Sequence, residues 1–151
     1  MITVEELSKH NLDDLIEISK INVEETHPHM PYEEDVIRHY ANYYMSLIDS
    51  DIRVYLAYND NKPVGYLVAY VKPYLFNRGV SVGQEMLYVV PDSRGGKAAI
   101  ALMKKLDDLA KENNALEVYA GVANGYNAEK ALKFFERLGY EKVGSYVRKV
   151  A

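Results

Sequence analysis

Apolar residues recur along the chain in two rhythms, and the switches between them mark out its elements. Ile2 to Glu6 reads as a short strand. From Asn11 the spacing becomes helical, with Leu12, Leu15, Ile16, Ser19 and Val23 on one face and the helix running to about Glu25. Asn11 has the residue type of an N-cap, and Asp13 and Asp14 sit in the first turn, where negative charge meets the positive end of the helix. Thr26 to Pro31 holds two prolines, which a helix interior excludes, and is expected to turn. Pro31 then suits the start of a second helix, Glu33, Glu34 and Asp35 suit its N-terminal end, and Val36, Ile37, Tyr40, Tyr43, Tyr44 and Leu47 give it an apolar face.

Two β-rich runs, Arg53 to Tyr58 and Pro63 to Val71, flank Asn59-Asp60-Asn61-Lys62 and predict a hairpin. Lys72 to Gly79 is a loop, and Val80 to Val90 is a long strand stopped by Pro91. Helical spacing returns from Gly96 to Asn113, with Ala99, Leu102, Met103, Leu106 and Ala110 on one face. Leu116 to Val122 reads as a strand. Asn127 caps a helix that turns Ala128, Ala131, Leu132 and Phe135 inward, with Gly139 at its C′ position. Tyr140 to Val143 and Tyr146 to Val150 are expected to close the fold as strands. The predicted order is β-α-α-β-β-β-α-β-α-β-β, an α+β chain. With no linker, repeat or low-complexity tract, one domain over residues 1–151 is expected. That order alone leaves the activity open, because one fold hosts many.

Composition narrows the choice. Eighteen basic and 22 acidic residues give a net charge of −4, against the basic stripe that nucleic-acid binding requires. No apolar run approaches the ~20 residues of a membrane helix, and Met1 to Glu6 lacks the pattern of a signal peptide. A cytoplasmic protein bound to neither membrane nor nucleic acid is the expectation. There is no cysteine, which excludes disulfides, thiolate metal sites and a cysteine nucleophile. His27 and His29 share a proline-flanked loop without a third ligand in view, so no metal is expected.

The chemistry concentrates in Leu87-Tyr88-Val89-Val90-Pro91-Asp92-Ser93-Arg94-Gly95-Gly96-Lys97-Ala98-Ala99, which passes from a strand through a glycine-rich turn into a helix. A helix N-terminus exposes unpaired N–H groups with partial positive charge, and glycines before it let an anion approach the backbone. The turn therefore suits a phosphate or pyrophosphate. It is not a P-loop, since Pro91 stands at the first glycine position and Ala98 replaces Ser or Thr, and no Gly-x-Gly-x-x-Gly fingerprint is present. Gly-x-Ser-x-Gly and His-Glu-x-x-His are also absent.

This stretch and the element order resemble the GNAT superfamily of N-acetyltransferases over nearly the whole chain. Family members carry Arg/Gln-x-x-Gly-x-Gly/Ala at the start of this helix; Arg94 and Ala99 match the ends, and Lys97 stands at the middle glycine. A later family pattern, Asn-x-x-Ala-x-x-Phe-Tyr-x-x-x-Gly-Phe, is met by Ala131, Phe134, Gly139 and Tyr140, while Ala128 and Phe135 replace its Asn and Tyr. The resemblance implies a mixed central sheet with helices on both faces and acetyl-CoA as co-substrate. Pantetheine would lie along Leu87, Tyr88 and Val89, and the phosphates on the turn formed by Arg94, Gly95, Gly96, Lys97, Ala98, Ala99 and Ile100.

The tyrosine that often protonates the departing thiolate is Phe135 here, which leaves Tyr126, just ahead of the helix, as the nearest hydroxyl by sequence. Glu85 lies two residues before Leu87, where family members often hold a glutamate; it reads as a general base or water organiser, or as an ordinary strand-edge charge. Glu24, Glu25, Glu33, Glu34 and Asp35 surround the turn that borders the acceptor site in the family, and read either as favouring a cationic acceptor or as solvated helix ends. Tyr40, Tyr43 and Tyr44 read as an acceptor lining or, more simply, as core. The expected activity is acetyl transfer to a small-molecule or peptide amine by direct attack. The alternatives are a non-catalytic CoA-binding module and a transferase of longer acyl groups. A homodimer is one assembly this reading allows.

Overall fold

A computed structural model describes residues 1–47, 51–122 and 127–151, which fall into two compact units, Met1–Tyr119 and Ala120–Ala151. The first holds β1 (Ile2–Glu6), α1 (Leu12–Thr26), α2 (Glu34–Ser46), β2 (Ile52–Asn59), β3 (Lys62–Pro73), β4 (Val80–Val89), a 3-10 turn at Pro91–Ser93, α3 (Ala98–Glu112) and β5 (Glu117–Tyr119). The second holds α4 (Ala128–Arg137). The five strands lie in the order β1-β2-β3-β4-β5, antiparallel up to β4, with β5 parallel to β4. This is the expected mixed sheet of an α+β fold, and the element order follows the expectation through α4.

Asp60 (φ 47°) and Asn61 (φ 70°) make the two-residue turn between β2 and β3. Two successive positive φ values match the twist of the flanking strands, and Asn and Asp tolerate them better than most residues. Helices cover both faces of the sheet. On one, Leu15 and Ile18 of α1 and Ala41 of α2 pack with Val54, Leu56, Tyr58, Tyr66 and Tyr88. On the other, Leu102 of α3 stands over Gly65, and Leu106 and Leu109 of that helix are fully buried. Because both faces are covered, β3 is buried without interruption from Val64 through Leu67, as strands enclosed on two sides are.

Five local expectations change. The Asn11 side chain does not cap α1; its Nδ2 donates to Glu6 O (3.0 Å) and its Oδ1 accepts from Ser8 N (2.7 Å), tying the helix start back to β1. The second helix begins at Glu34 and not at Pro31, since Tyr32 is drawn onto α1, its hydroxyl bonding Ser19 Oγ at 2.7 Å and Ile16 O at 3.1 Å. Tyr40 and Tyr43 are 52% and 54% exposed, so only Tyr44 of that aromatic stripe packs on the core. Here α2 reaches the core through Ala41 and Tyr44, and Tyr40 lies outside it, its ring stacked on that of Tyr44 at 6.2 Å. The strand expected at Leu116–Val122 is confined to Glu117–Tyr119, where its ladder with β4 ends. Residues 140–151 form no strand; a ladder needs a second strand to pair with, and the described part of their own unit holds no other strand.

Candidate active site

The site forms where β4 parts from β5. Their pairing covers only Ser81–Glu117, Val82–Val118 and Gly83–Tyr119. Immediately beyond, β4 bulges: Gln84 pairs with Ala69 and Met86 with Val68, leaving Glu85 as the extra residue. A bulge bends its strand and increases the local twist. Past Gly83, β4 has no second neighbouring strand among the described residues. The N–H of Val90 donates to Val64 O at 2.9 Å. By the alternation of an antiparallel ladder, Tyr88 also turns its backbone groups toward β3, while Leu87 and Val89 turn theirs to the open edge. Glu85 is exposed beside them.

A buried polar contact fixes the strand behind that edge. Asn22 Nδ2 of α1 donates to Tyr66 Oη (2.6 Å), and the Tyr66 hydroxyl donates to Met86 Sδ (2.8 Å). Burial raises the Tyr66 pKa, so the phenol keeps the proton it donates. Met86, adjacent to the bulge residue, is thereby held from α1.

The turn follows directly. Gly95 adopts φ +78°, a conformation that costs most other residues, and an added Cβ there would meet nothing within 4 Å. The backbone is thus open to an approaching ligand. Ala101 N donates to Lys97 O at 2.9 Å, the first bond of the new helix. Among the described residues, the N–H groups of Gly95, Gly96, Lys97, Ala98, Ala99 and Ile100 have no backbone acceptor. These six donors lie at the positive end of the 15-residue α3, the kind of donor set that binds an anion.

Arg94 holds this turn to the rest of the site. Its Nε donates to Val89 O at 2.9 Å, and its Nη1 and Nη2 reach the two carboxylate oxygens of Glu25 at 2.9 and 2.5 Å. The guanidinium lies 5.4 Å from the centre of the Tyr88 ring, and Tyr88 Oη donates to Glu25 Oε1 at 2.6 Å. Burial and the adjoining Glu25 carboxylate raise the Tyr88 pKa, keeping the hydroxyl a donor.

The structure therefore brings Glu85, Leu87, Tyr88, Val89 and residues 94–100 into one continuous stretch. Tyr126 lies outside the described residues. Phe135 is 4% exposed in the second unit, its ring beside those of Phe134 (5.6 Å) and Tyr140 (6.0 Å). The acidic cluster divides. Glu24 and Glu34 border a groove of about 480 Å³ with Lys20, Tyr32 and Met30, Glu34 also pairs with Arg38, and Glu25 turns to Arg94. Among the described residues no helix is long and apolar enough to cross a membrane, and no three His, Asp or Glu side chains group as metal ligands.

The sequence reading missed the bulge and the partner of Glu25. Both had a signal. Gln84-Glu85 interrupts the alternation of β4, and Glu25 continues the spacing of Leu15, Ile18 and Asn22, a core-facing stripe on which a carboxylate needs a cation.

The open strand edge runs directly into a helix start whose N–H groups have no backbone acceptor among the described residues. The sequence profile of the acetyltransferase (GNAT) family matches residues 12–140, and the chain belongs to that family. No curated protein sequence matched the chain. Solved structures share the fold at low identity. A transcriptional regulator from Bacillus halodurans C-125 aligns over 100% of both chains with 18% identity and a TM-score of 0.82. The aminoglycoside N-acetyltransferase AAC(6')-Iy, solved in complex with CoA, aligns over 100% of this chain and 95% of its own with 15% identity and a TM-score of 0.80. A ribosomal-protein-alanine N-acetyltransferase from Brucella melitensis biovar Abortus 2308 aligns over 100% of both chains with 20% identity and a TM-score of 0.74.

Proposed function

We propose that this chain, as one domain over residues 1–151, transfers the acetyl group of acetyl-CoA to a primary amine by direct attack. The observation that carries the reading is the continuity of the open β4 edge at Leu87 and Val89 with the six free N–H groups of residues 95–100. An amide-bearing arm suits the first and a pyrophosphate the second, in the order in which the two occur along CoA. Lys97 is exposed at the helix start, where its ammonium meets the same phosphates. Acetyl-CoA supplies the activated acyl group, and the remaining tasks fall to the chain.

A primary ammonium titrates near ~10.4 and must lose a proton before its nitrogen can attack. Glu85, at the bulge, takes that proton directly or through a water. The outward N–H of Leu87 or Val89 donates to the acetyl carbonyl oxygen as negative charge gathers on it. The nitrogen bonds the carbonyl carbon, the C–S bond breaks, and the sulfur leaves with its electron pair. The nitrogen's second proton balances the one the sulfur gains: Tyr126 gives its hydroxyl proton to the thiolate and is reprotonated from the nitrogen, so that one proton in all is released, through Glu85. With no cysteine in the chain, no cysteinyl intermediate intervenes. The acceptor is a small-molecule or peptide amine. Glu24 and Glu34 at the groove favour a cationic one, and similarity to an aminoglycoside N-acetyltransferase supports that class.

A second reading, a CoA-binding module without turnover, is favoured by Phe135, which has no hydroxyl at the family's tyrosine position. One pair of measurements separates the two. CoA at a hundred times its dissociation constant adds about 2.7 kcal/mol to the folded state. For a chain of this length that raises the melting temperature by roughly 5 to 11 °C. Acetyl-CoA incubated with pooled amines should also release free CoA thiol. A melting shift without thiol release selects the module, and neither effect would eliminate both readings.

A further inference from the structure

In the sequence Glu25 is one acid among five near a turn, and the reaction described above gives it no task. In the structure it stands apart from the others. It is mostly buried, at 19% exposure, and it accepts from Arg94 through both carboxylate oxygens and from Tyr88 through one. Arg94 is the residue before Gly95, and its Nε also holds Val89 O, the last carbonyl of β4. Glu25 thus joins three things that must keep register for one long ligand to fit: the final turn of α1, the end of the open strand edge, and the start of the phosphate turn.

We infer that Glu25 is a positioning residue for CoA: through Arg94 it fixes the spacing between the β4 edge and the N–H groups of residues 95–100 before the ligand arrives. The inference rests on the CoA-binding reading above. The fork of Arg94 is engaged with Glu25 and Val89, so its contribution to binding comes from holding the loop. A guanidinium and a carboxylate in bidentate contact fix a relative orientation as well as a distance, which a point charge does not. Without the carboxylate, Gly95 and Gly96 beside Arg94 leave the turn free to sample other conformations. CoA would then have to order the turn as it binds, and its affinity would fall by that ordering cost.

The test is isothermal titration of CoA into wild type, Glu25→Gln, Arg94→Gln and the double variant, with Glu17→Gln on the exposed side of α1 as control. Each single variant should weaken CoA binding by about tenfold, the order expected for loss of a charge-assisted hydrogen-bond pair. The double variant should be no weaker than the singles, because both remove one link. Steady-state assays with any amine found to be acetylated should show a raised KM for acetyl-CoA and an unchanged KM for the amine. A general loss of structure would move both constants. Equal CoA affinity in wild type and both single variants overturns the positioning role and leaves the CoA reading intact. Additive losses in the double variant also overturn it, since the two residues would then act separately. If wild type itself fails to bind CoA, the CoA reading falls first. Should Glu25→Gln not fold, Arg94→Gln alone decides, because retained affinity there is equally fatal.

Discussion

At the scale of single residues, Glu85 is placed by what it does not do. As the bulge residue of β4 it has no partner in the β3 ladder, and its side chain is exposed. Replacing it should therefore leave the sheet unchanged, with a stability effect within about ±0.5 kcal/mol, as for surface positions without a special role. Its effect on turnover should be large. Glu85→Gln removes the proton acceptor, and loss of a general base costs ~10² to 10⁴-fold in rate. The deficit should shrink as pH rises toward the ammonium pKa, because free amine then forms without help. Rates from pH 6 to 10 for both proteins, with melting temperatures alongside, check this. A loss below tenfold at neutral pH, or one that does not vary with pH, removes Glu85 from the mechanism. Phe135 offers the complementary case, since a buried phenylalanine at the family's tyrosine position leaves proton delivery to another group.

At the scale of elements, most boundaries were legible because the physics that sets them is local. Two successive positive-φ residues in an Asn-Asp-Asn-Lys turn make a hairpin, and Pro91 stops β4, whatever else the chain does. The errors fell where a distant contact decides. Tyr32 delays α2 by bonding α1, and β5 is confined to the three residues that find partners on β4, contacts that no local window contains. The β3–β4 pair carries the most direct test of how tightly the site is built. A Cβ on Gly65 would stand 2.6 Å from Tyr88 O and 3.2 Å from Val89 Cγ2. Backbone cannot yield as a side chain can, so Gly65→Ala must push β4 outward at Tyr88 and Val89. Overpacking of this kind costs about 1 to 3 kcal/mol. It should also weaken CoA binding, because Val89 O moves off Arg94. Gly144→Ala, whose added Cβ meets nothing within 4 Å, should change neither property. Urea unfolding and CoA titration of the two variants measure both effects, and unchanged CoA affinity in Gly65→Ala would show that the edge tolerates displacement.

At the scale of the whole molecule, the backbone elements that make up the candidate site were legible in the sequence, and the side-chain contacts between them were not. The cradle at residues 95–100 depends on glycines, a helix start and a strand end, all of which are written consecutively. The Glu25–Arg94, Glu25–Tyr88 and Asn22–Tyr66 contacts join residues more than 40 positions apart, and only folding brings them together. The same concealed tyrosines set a property of the entire fold. Burial holds the Tyr55 phenol up to about 12, and burial also raises Tyr58, Tyr66 and Tyr88, with Asp14 adding at Tyr58 and Glu25 at Tyr88. A group whose folded pKa is raised contributes stability that is complete below its unfolded value, near ~10, and is lost as pH rises through the folded value. The folded state should accordingly lose no stability from these groups up to about pH 10, then lose it steeply toward and beyond pH 12. Phenolate absorbance at 295 nm should show a late phase that coincides with loss of helical circular dichroism, because these hydroxyls ionise only as the core opens. Tyr58→Phe should shrink the late phase and delay the alkaline transition, since its proton no longer has to be lost. A late absorbance rise that precedes the loss of helix would mean that these phenols reach solvent in the folded state, and that packing of the sheet against its helices does not hold their protons.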